Sequence, residues 1–394
     1  MTARVVHDRD HALLAADELR RAFAVGAAER DRERRLPDVE LAQLSASGLL
    51  AITVPEEYGG ADVDTPTLIE VVRTLAAGDP NIAQIPQSHF VYLNILRRHG
   101  GDALQKLIFT EVLNGARLGN AQSEAKTKHL QDLRTRLDPQ PDGSFLLTGE
   151  KQYSTGALFA DWVPVLAKQP DDKLHVAFLP RDAEGLEVID DWDGLGQRTT
   201  ASGTVRLRDV LVPGDRVLPH HLTFTGPQTH GAVAQLLHAA IDAGIAAAAL
   251  DEAAEFVRTK TRPWFESGVD HASEEPLLIQ RFGELDLQLR SADALLAAAA
   301  HAVDVAKADP TDETTGRASL AVAAAKVATG RAALELSSAI FETGGTRSAL
   351  ASLNLDRHWR NARTHTLHDP ERWKLQHLGR YALNGTLPPR HGVL

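Results

Sequence analysis

The chain contains no cysteine, and its one methionine is Met1. Disulfides, thiolate nucleophiles and cysteine-ligated metals are therefore excluded. Leucine and alanine fill cores without methionine, so no fold forbids the absence. An alanine-rich, GC-biased genome accounts for missing cysteine better than for an empty internal methionine column. The sharper reading is a protein made when sulfur is scarce. Positive charge is also in deficit: 42 Lys and Arg stand against 53 Asp and Glu, for a net charge of −11. That balance argues against nucleic acid and anionic membrane as partners. No apolar run reaches membrane-spanning length, and "MTARVVHDRD" has no signal-peptide core. The expected location is the cytoplasm. The run "ERDRERR" (29–35) alternates acids with arginines and reads as a solvated helix face.

What is present is enough for several domains, since 394 residues exceed a single core. Residues 1–117 read as helical. "DHALLAADELRRAFAVGAAERDRE", "PDVELAQLSASGLL", "TPTLIEVVRTLAAGD", "SHFVYLNILRRHG" and "DALQKLIFTEVLNG" carry helical apolar spacing and start or stop signals. Residues 118–222 hold short β-like runs between turns: "SFLLTGEKQY", "WVPVLAK", "LHVAFLP", "LEVID" and "GTVRLRDVLVP". Residues 223–394 are helical and alanine-rich, with three segments of about 30 residues and a last helix within 371–384. The expected class is α+β: an N-terminal helical domain, a central antiparallel β domain and a C-terminal four-helix bundle.

The densest cluster of reactive side chains is "NARTHTLHDP" (361–370), with His365, His368 and Asp369. The two histidines sit at i, i+3. The segment shows no third well-placed ligand, so no metal is expected. Four further stretches matter: "GLLAITVPEEYGGAD", "GEKQYSTGALFADWVPVLA", "GLGQRTTASGTVRLRDVLVP" and "AAIDAGIAAAALDEAAEFVRTKTRPWFESG". In that order, they resemble the acyl-CoA dehydrogenase superfamily over essentially the whole length.

The resemblance implies a flavin site. Tyr153 would pack against the ring, and Ser154 and Thr155 would offer hydroxyls and N–H groups, with Thr155 reaching N5. Asn120, Gln122 and Ser123 match the family's loop over the flavin. Arg262 matches a residue that contacts the cofactor phosphate. Gly344 and Gly345 match part of an element that holds the dinucleotide half of FAD from a neighbouring subunit. The rest of that element is altered to "FETGGTRS", which favours FMN and leaves FAD as the alternative.

The dehydrogenases remove a proton α to a thioester with a glutamate. In this chain one base register falls on Asp369 and the other near Ala234, so both lack Glu. The tail from "LDRHWRNARTHTLHDPERW" onward instead resembles the flavin monooxygenase branch, which includes dibenzothiophene monooxygenases and sulfur-acquisition oxidoreductases. That resemblance implies reduced flavin from a separate NAD(P)H reductase, oxygen addition to give a C4a-(hydro)peroxide, and transfer to a small organosulfur substrate. It also implies a homotetramer. His368 is then the expected proton manager. His89 is a second pocket candidate, Asp369 could orient His368, and His365 reads as structural. Two alternatives remain: an acyl-CoA dehydrogenase using Asp369 as base, and a non-catalytic protein on the same fold.

Overall fold

Helix-start chemistry operates as the sequence implies. The Asp64 carboxylate accepts from Thr67 N–H, and Pro66 lies in the first turn of the helix it caps. Asp79 does the same for the next helix through Asn81 N–H. The computed structural model describes residues 3–129 and 132–392. Seven helices come first: α1 (Arg9–Ala24), α2 (Ala27–Glu33), α3 (Asp38–Ala46), α4 (Thr65–Gly78), α5 (Pro80–Gln84), α6 (Gln87–His99) and α7 (Asp102–Leu113). Strands follow: β1 (Arg136–Pro139), β2 (Phe145–Lys151), β3 (Trp162–Lys168), β4 (Leu174–Pro180), β5 (Leu186–Ile189), β6 (Thr204–Val212) and β7 (Val217–Leu218). The chain then returns to helices α8 (His230–Thr259), α9 (Pro276–Ala308), α10 (Asp312–Gly344), α11 (Asp356–His365) and α12 (Glu371–Asn384). This is the expected mixed α+β architecture.

The sheet order is β5-β6-β2-β1-β3-β4-β7. It is not purely antiparallel. β1 meets β3 in parallel at Arg136 and Lys168, and residues 118 and 121 form parallel bridges to Trp162 and Val165. The segment entering the β domain therefore runs beside β3 in the same direction. The bundle also differs from four equal helices. Its fourth member is short and broken, with α11 and α12 separated by residues 366–370. That break carries His368 and Asp369.

α8 is long and apolar enough to span a membrane by length and composition, contrary to the expectation that no apolar run reaches that length. Its most apolar stretch is 78% buried in this protein. It is the core helix, packed against α4, α9 and α10. A Cβ on Gly244 would sit 2.5 Å from the Arg73 carbonyl oxygen, so only glycine permits that approach of α4 to α8.

The run "ERDRERR" is not wholly solvated. Arg30 and Asp31 are each 1% exposed. Arg30 bridges Glu40 at 2.8 Å and Asp79 at 3.0 Å. Asp31, one residue on, accepts from Arg360 of α11 at 2.6 Å and from Asn354 at 2.9 Å. Two adjacent side chains thus tie the N-terminal helices to one another and to the bundle. Burying such charges is tolerated because each is paired.

A second buried polar group lies where α6, the 220–224 turn and α8 meet. The His220 and His230 rings are 5.5 Å apart, and both are buried. Burial lowers His220 to about 4, with His99 and His221 adding repulsion. Burial and then His220 lower His230 to about 3. Both are neutral in the folded state at pH 7. Below about pH 6.5 the unfolded chain takes up protons that the folded chain refuses, so stability falls as pH drops. Each histidine should account for about 2 kcal/mol of loss between pH 7 and 5. In urea unfolding at those two pH values, His220→Phe with His230→Phe should flatten the fall. An unchanged fall would refute the assignment.

Candidate active site

The "YSTG" segment follows β2 and lies beside the loop that leads into β6. Ser154 N–H donates to the Gly203 carbonyl at 2.9 Å. The Thr155 hydroxyl is 2.7 Å from the Ser202 hydroxyl, which is 2.8 Å from that of Thr200. Thr200 in turn donates to the Gln197 carbonyl. The Thr155 hydroxyl is therefore engaged by the fold and keeps a lone pair for a further partner. The Ser154 hydroxyl is buried and has no partner among the described residues. An unpaired buried hydroxyl is costly unless a ligand or water completes it. The Ser154 hydroxyl is thus left for a further partner. Tyr153 is 57% exposed, with its ring edge on Trp192, and is free to cover a planar ring.

The remaining loop residues contribute differently. Asn120 accepts from the Tyr92 hydroxyl at 3.3 Å. Gln122 and Ser123 are fixed through their carbonyls, which accept from Lys151 Nζ and Gln152 N–H. Lys151 is fully buried and ion-paired to Glu124 at 2.8 Å. Burial lowers it to about 8, against the pull of Glu124. That pair anchors the base of the 120–124 loop.

The same loop before β6 is clamped to α11. Gly196 N–H donates to the Thr364 hydroxyl and Gln197 N–H to the Asn361 side chain at 2.7 Å. A Cβ at Gly196 would lie 1.9 Å from the Arg360 carbonyl oxygen, so the loop lies directly on the helix. From the other side Gly156 touches Ile85, the residue after Gln84. The flavin segment, the end of α5 and the end of α11 therefore converge.

At that point stand His365 and His368. His365 is fully buried, with Nδ1 2.5 Å from Asp242 of α8. Its Nε2 lies 3.1 Å from His238 and 3.1 Å from Gln84 Oε1. His368 bonds the His365 carbonyl through Nδ1 and the Gln84 amide nitrogen through Nε2 at 3.2 Å. His368 is exposed to solvent at this convergence, the candidate cleft. Burial and then His365 lower its pKa. His238 supplies the third histidine that the local sequence lacked, and one ligand atom from each ring falls within 4.8 Å of the others. Hydrogen bonds already occupy His365 and His368 at both nitrogens.

Asp369 does not orient His368 and is not poised as a base. It is ion-paired to Lys374 at 2.9 Å, and the Gln235 amide, turned to put its nitrogen toward Asp369, donates to the two oxygens at 3.0 and 3.2 Å. His89 is a satisfied core histidine. Its Nε2–H donates to the Leu50 carbonyl at 2.8 Å and its Nδ1 accepts from Leu118 N–H at 3.0 Å. Burial lowers it to about 4, so it stays neutral and has no free proton to give.

Arg262, Gly344 and Gly345 do not join the site within one protomer. Gly344 packs on Phe256, whereas Gly330, fourteen residues earlier on α10, packs near Asp242. At 1.5 Å per residue that separation is about 21 Å. Arg262 is exposed beyond the same end of α8.

Family models match the three parts in order: acyl-CoA dehydrogenase N-terminal domain over residues 12–116, middle domain over 119–210 and C-terminal domain over 236–370. The chain belongs to the acyl-CoA dehydrogenase family. Within that family it is similar to monooxygenases. A dibenzothiophene monooxygenase of Rhodococcus erythropolis is 35% identical over 378 residues, covering 92% of this chain and 90% of the relative. FMN-bound TdsC from Paenibacillus sp. A11-2 has a TM-score of 0.93 at 32% identity, covering 97% of this chain and 100% of that one. Methanesulfinate monooxygenase MsuC from Pseudomonas fluorescens has a TM-score of 0.91 at 34% identity, covering 97% and 99%.

The sequence reading of this acyl-CoA dehydrogenase family site missed Gln84, His238, Asp242 and Lys326. A signal existed: two of them interrupt the most apolar helix at i, i+4. Hydroxyl roles supply a test. In flavin-free protein, Ser154→Ala should leave the melting temperature nearly unchanged. Thr155→Val should cost about 0.5–1.5 kcal/mol by removing its bond to Ser202, which then keeps only Thr200. Equal losses for both variants would contradict the difference.

Proposed function

We propose that the protein is a reduced-flavin-dependent monooxygenase that oxygenates a small organosulfur compound. One observation carries the choice over acyl-CoA dehydrogenation. The carboxylate in the base register, Asp369, is tied to Lys374 and Gln235, while its neighbour His368 opens to the cleft. The similarity to a dibenzothiophene monooxygenase and to a methanesulfinate monooxygenase supports the same reading and the sulfur substrate. The near-absence of sulfur in the chain accords with a role in sulfur acquisition.

The residues fit a flavin. Ser154 has an unspent buried hydroxyl, Tyr153 an exposed ring, and the 120–124 loop is held from beneath. FMN is the favoured form, supported by FMN-bound TdsC. When bound and reduced, it supplies two electrons, so that one atom of O2 reaches the substrate sulfur and the other leaves as water. Ser154 would hold the ring edge, Tyr153 would cover a face and keep water out, and Asn120 would border the pocket. His368 would hold or release a proton at Nε2, the nitrogen facing Gln84. A separate NAD(P)H-dependent reductase in the same compartment, the cytoplasm, would supply the reduced flavin.

Arg262, Gly344 and Gly345 could reach such a site only from a neighbouring copy. Exposed apolar side chains on α9 (Leu277, Leu287) and α12 (Trp373, Leu383) support self-association, and a homotetramer is the proposed form.

Anaerobic addition of reduced FMN followed by oxygen and methanesulfinate or dibenzothiophene should give oxygenated product. Bleaching of bound flavin by an acyl-CoA, with no oxygenation, would end this reading. His368→Ala should retain FMN binding and lose product formation by about 100-fold or more. Full turnover in that variant would remove His368 from the chemistry.

A further inference from the structure

Four segments meet around His365 and His368: α5 through Gln84, α8 through His238 and Asp242, α10 through Lys326, and the α11–α12 break. Their hydrogen bonds obey a simple count. A carbonyl only accepts, so His368 Nδ1 must carry hydrogen toward the His365 carbonyl at 2.7 Å. Asp242 is ionised; burial raises its pKa, but Lys326 and His365 outweigh that and lower it to about 2. His365 Nδ1 must therefore carry hydrogen toward Asp242 at 2.5 Å. Each ring has one fixed proton.

The two Nε2 atoms are both within reach of a single amide. Gln84 Oε1 lies 3.1 Å from His365 Nε2, and Gln84 Nε2 lies 3.2 Å from His368 Nε2. An amide presents one acceptor end and one donor end. It satisfies both rings only when one Nε2 bears hydrogen and the other does not. With neither protonated, the amide oxygen faces a lone pair. With both protonated, the amide nitrogen faces an N–H.

We infer that His365 and His368 hold one dissociable proton between them at their Nε2 positions, and that the Gln84 amide turns end for end to match whichever ring has it. As the proton moves, one N–H bond breaks and the other forms, and the charge of the cluster is unchanged. The Gln84 amide, with its oxygen toward His365 and its nitrogen toward His368, places the proton on His365. Asp242 favours that state. Lys326, 2.7 Å from Asp242, opposes positive charge on either ring. His238 Nδ1 faces the same His365 nitrogen at 3.1 Å, and burial keeps His238 neutral. Lys374 also bears on His238 and faces Asp369, so its charge is directed away from the exchanging pair. Gln84 and Asp242 are thus positioning residues. Through them, His368 at the cleft can accept or return a proton while the protein interior absorbs the change.

The test needs no flavin and so stands apart from the proposed reaction. Full-length protein carrying 15N-labelled histidine is titrated between pH 5 and 8 by NMR, with the His365 and His368 rings assigned from single His→Gln variants. In the parent, the two Nε2 signals should titrate together with one common midpoint, their protonated fractions summing to one proton. Gln84→Leu should split that common titration into two separate ones. Asp242→Asn should shift the shared proton toward His368 by tenfold or more. The His89 signals, fixed between two backbone groups, report whether each variant is folded. The parent titration decides the matter even if a variant fails to fold. Independent titration of the two rings in the parent, or a common midpoint retained in folded Gln84→Leu, overturns the inference.

Discussion

Asp242 is a carboxylate with no exposure, set in the most apolar helix of the chain. A buried charge of this kind is tolerated only when paired, and Asp242 is paired twice: to Lys326 of α10 and to His365 of α11. This one residue fixes three helices relative to one another. It also places the α11 terminus, and therefore the break that presents His368. The loop before β6 then takes its position from Asn361 and Thr364 on the same short helix. The β domain is indexed to the bundle through that helix. Geometry at the cleft is inherited from an ion pair that never touches it.

Much of the fold could be read from periodicity and punctuation. β3 and β4 match the runs "WVPVLAK" and "LHVAFLP" because both are apolar and bounded by turns. The three long helices were plain for the same reason. β1 was not legible: four residues with an arginine, an aspartate and a proline carry no alternation. Neither was α11, a mostly polar ten-residue helix that depends on tertiary bonds. Arg30 and Asp31 show the limit most clearly. An alternating charge run has one sequence pattern whether water or partners 49 residues away and more than three hundred away satisfy it.

The site was legible as a set of segments rather than as a set of roles. Motif resemblance found "YSTG" and the tail histidines, and the fold brings them together. It could not tell which of two adjacent hydroxyls the fold consumes, because Ser202 and Thr200 lie in a distant loop. It could not see that Lys374 takes Asp369, or that two backbone groups take His89. Residue type predicts what a side chain can do. Which neighbour has already claimed it is a property of the packed chain.

The sulfur-free interior has a bearing on durability. Thiols and thioethers are the side chains that peroxides oxidise most readily, and a methionine sulfoxide in a core converts an apolar filler into a polar one. Here leucine and alanine take those places, and Met1 is the only sulfur in the chain. Hydrogen peroxide escaping at the cleft would meet no cysteine and no core methionine on its way to solvent. The composition that spares a scarce element also leaves the packing without its most oxidation-sensitive groups.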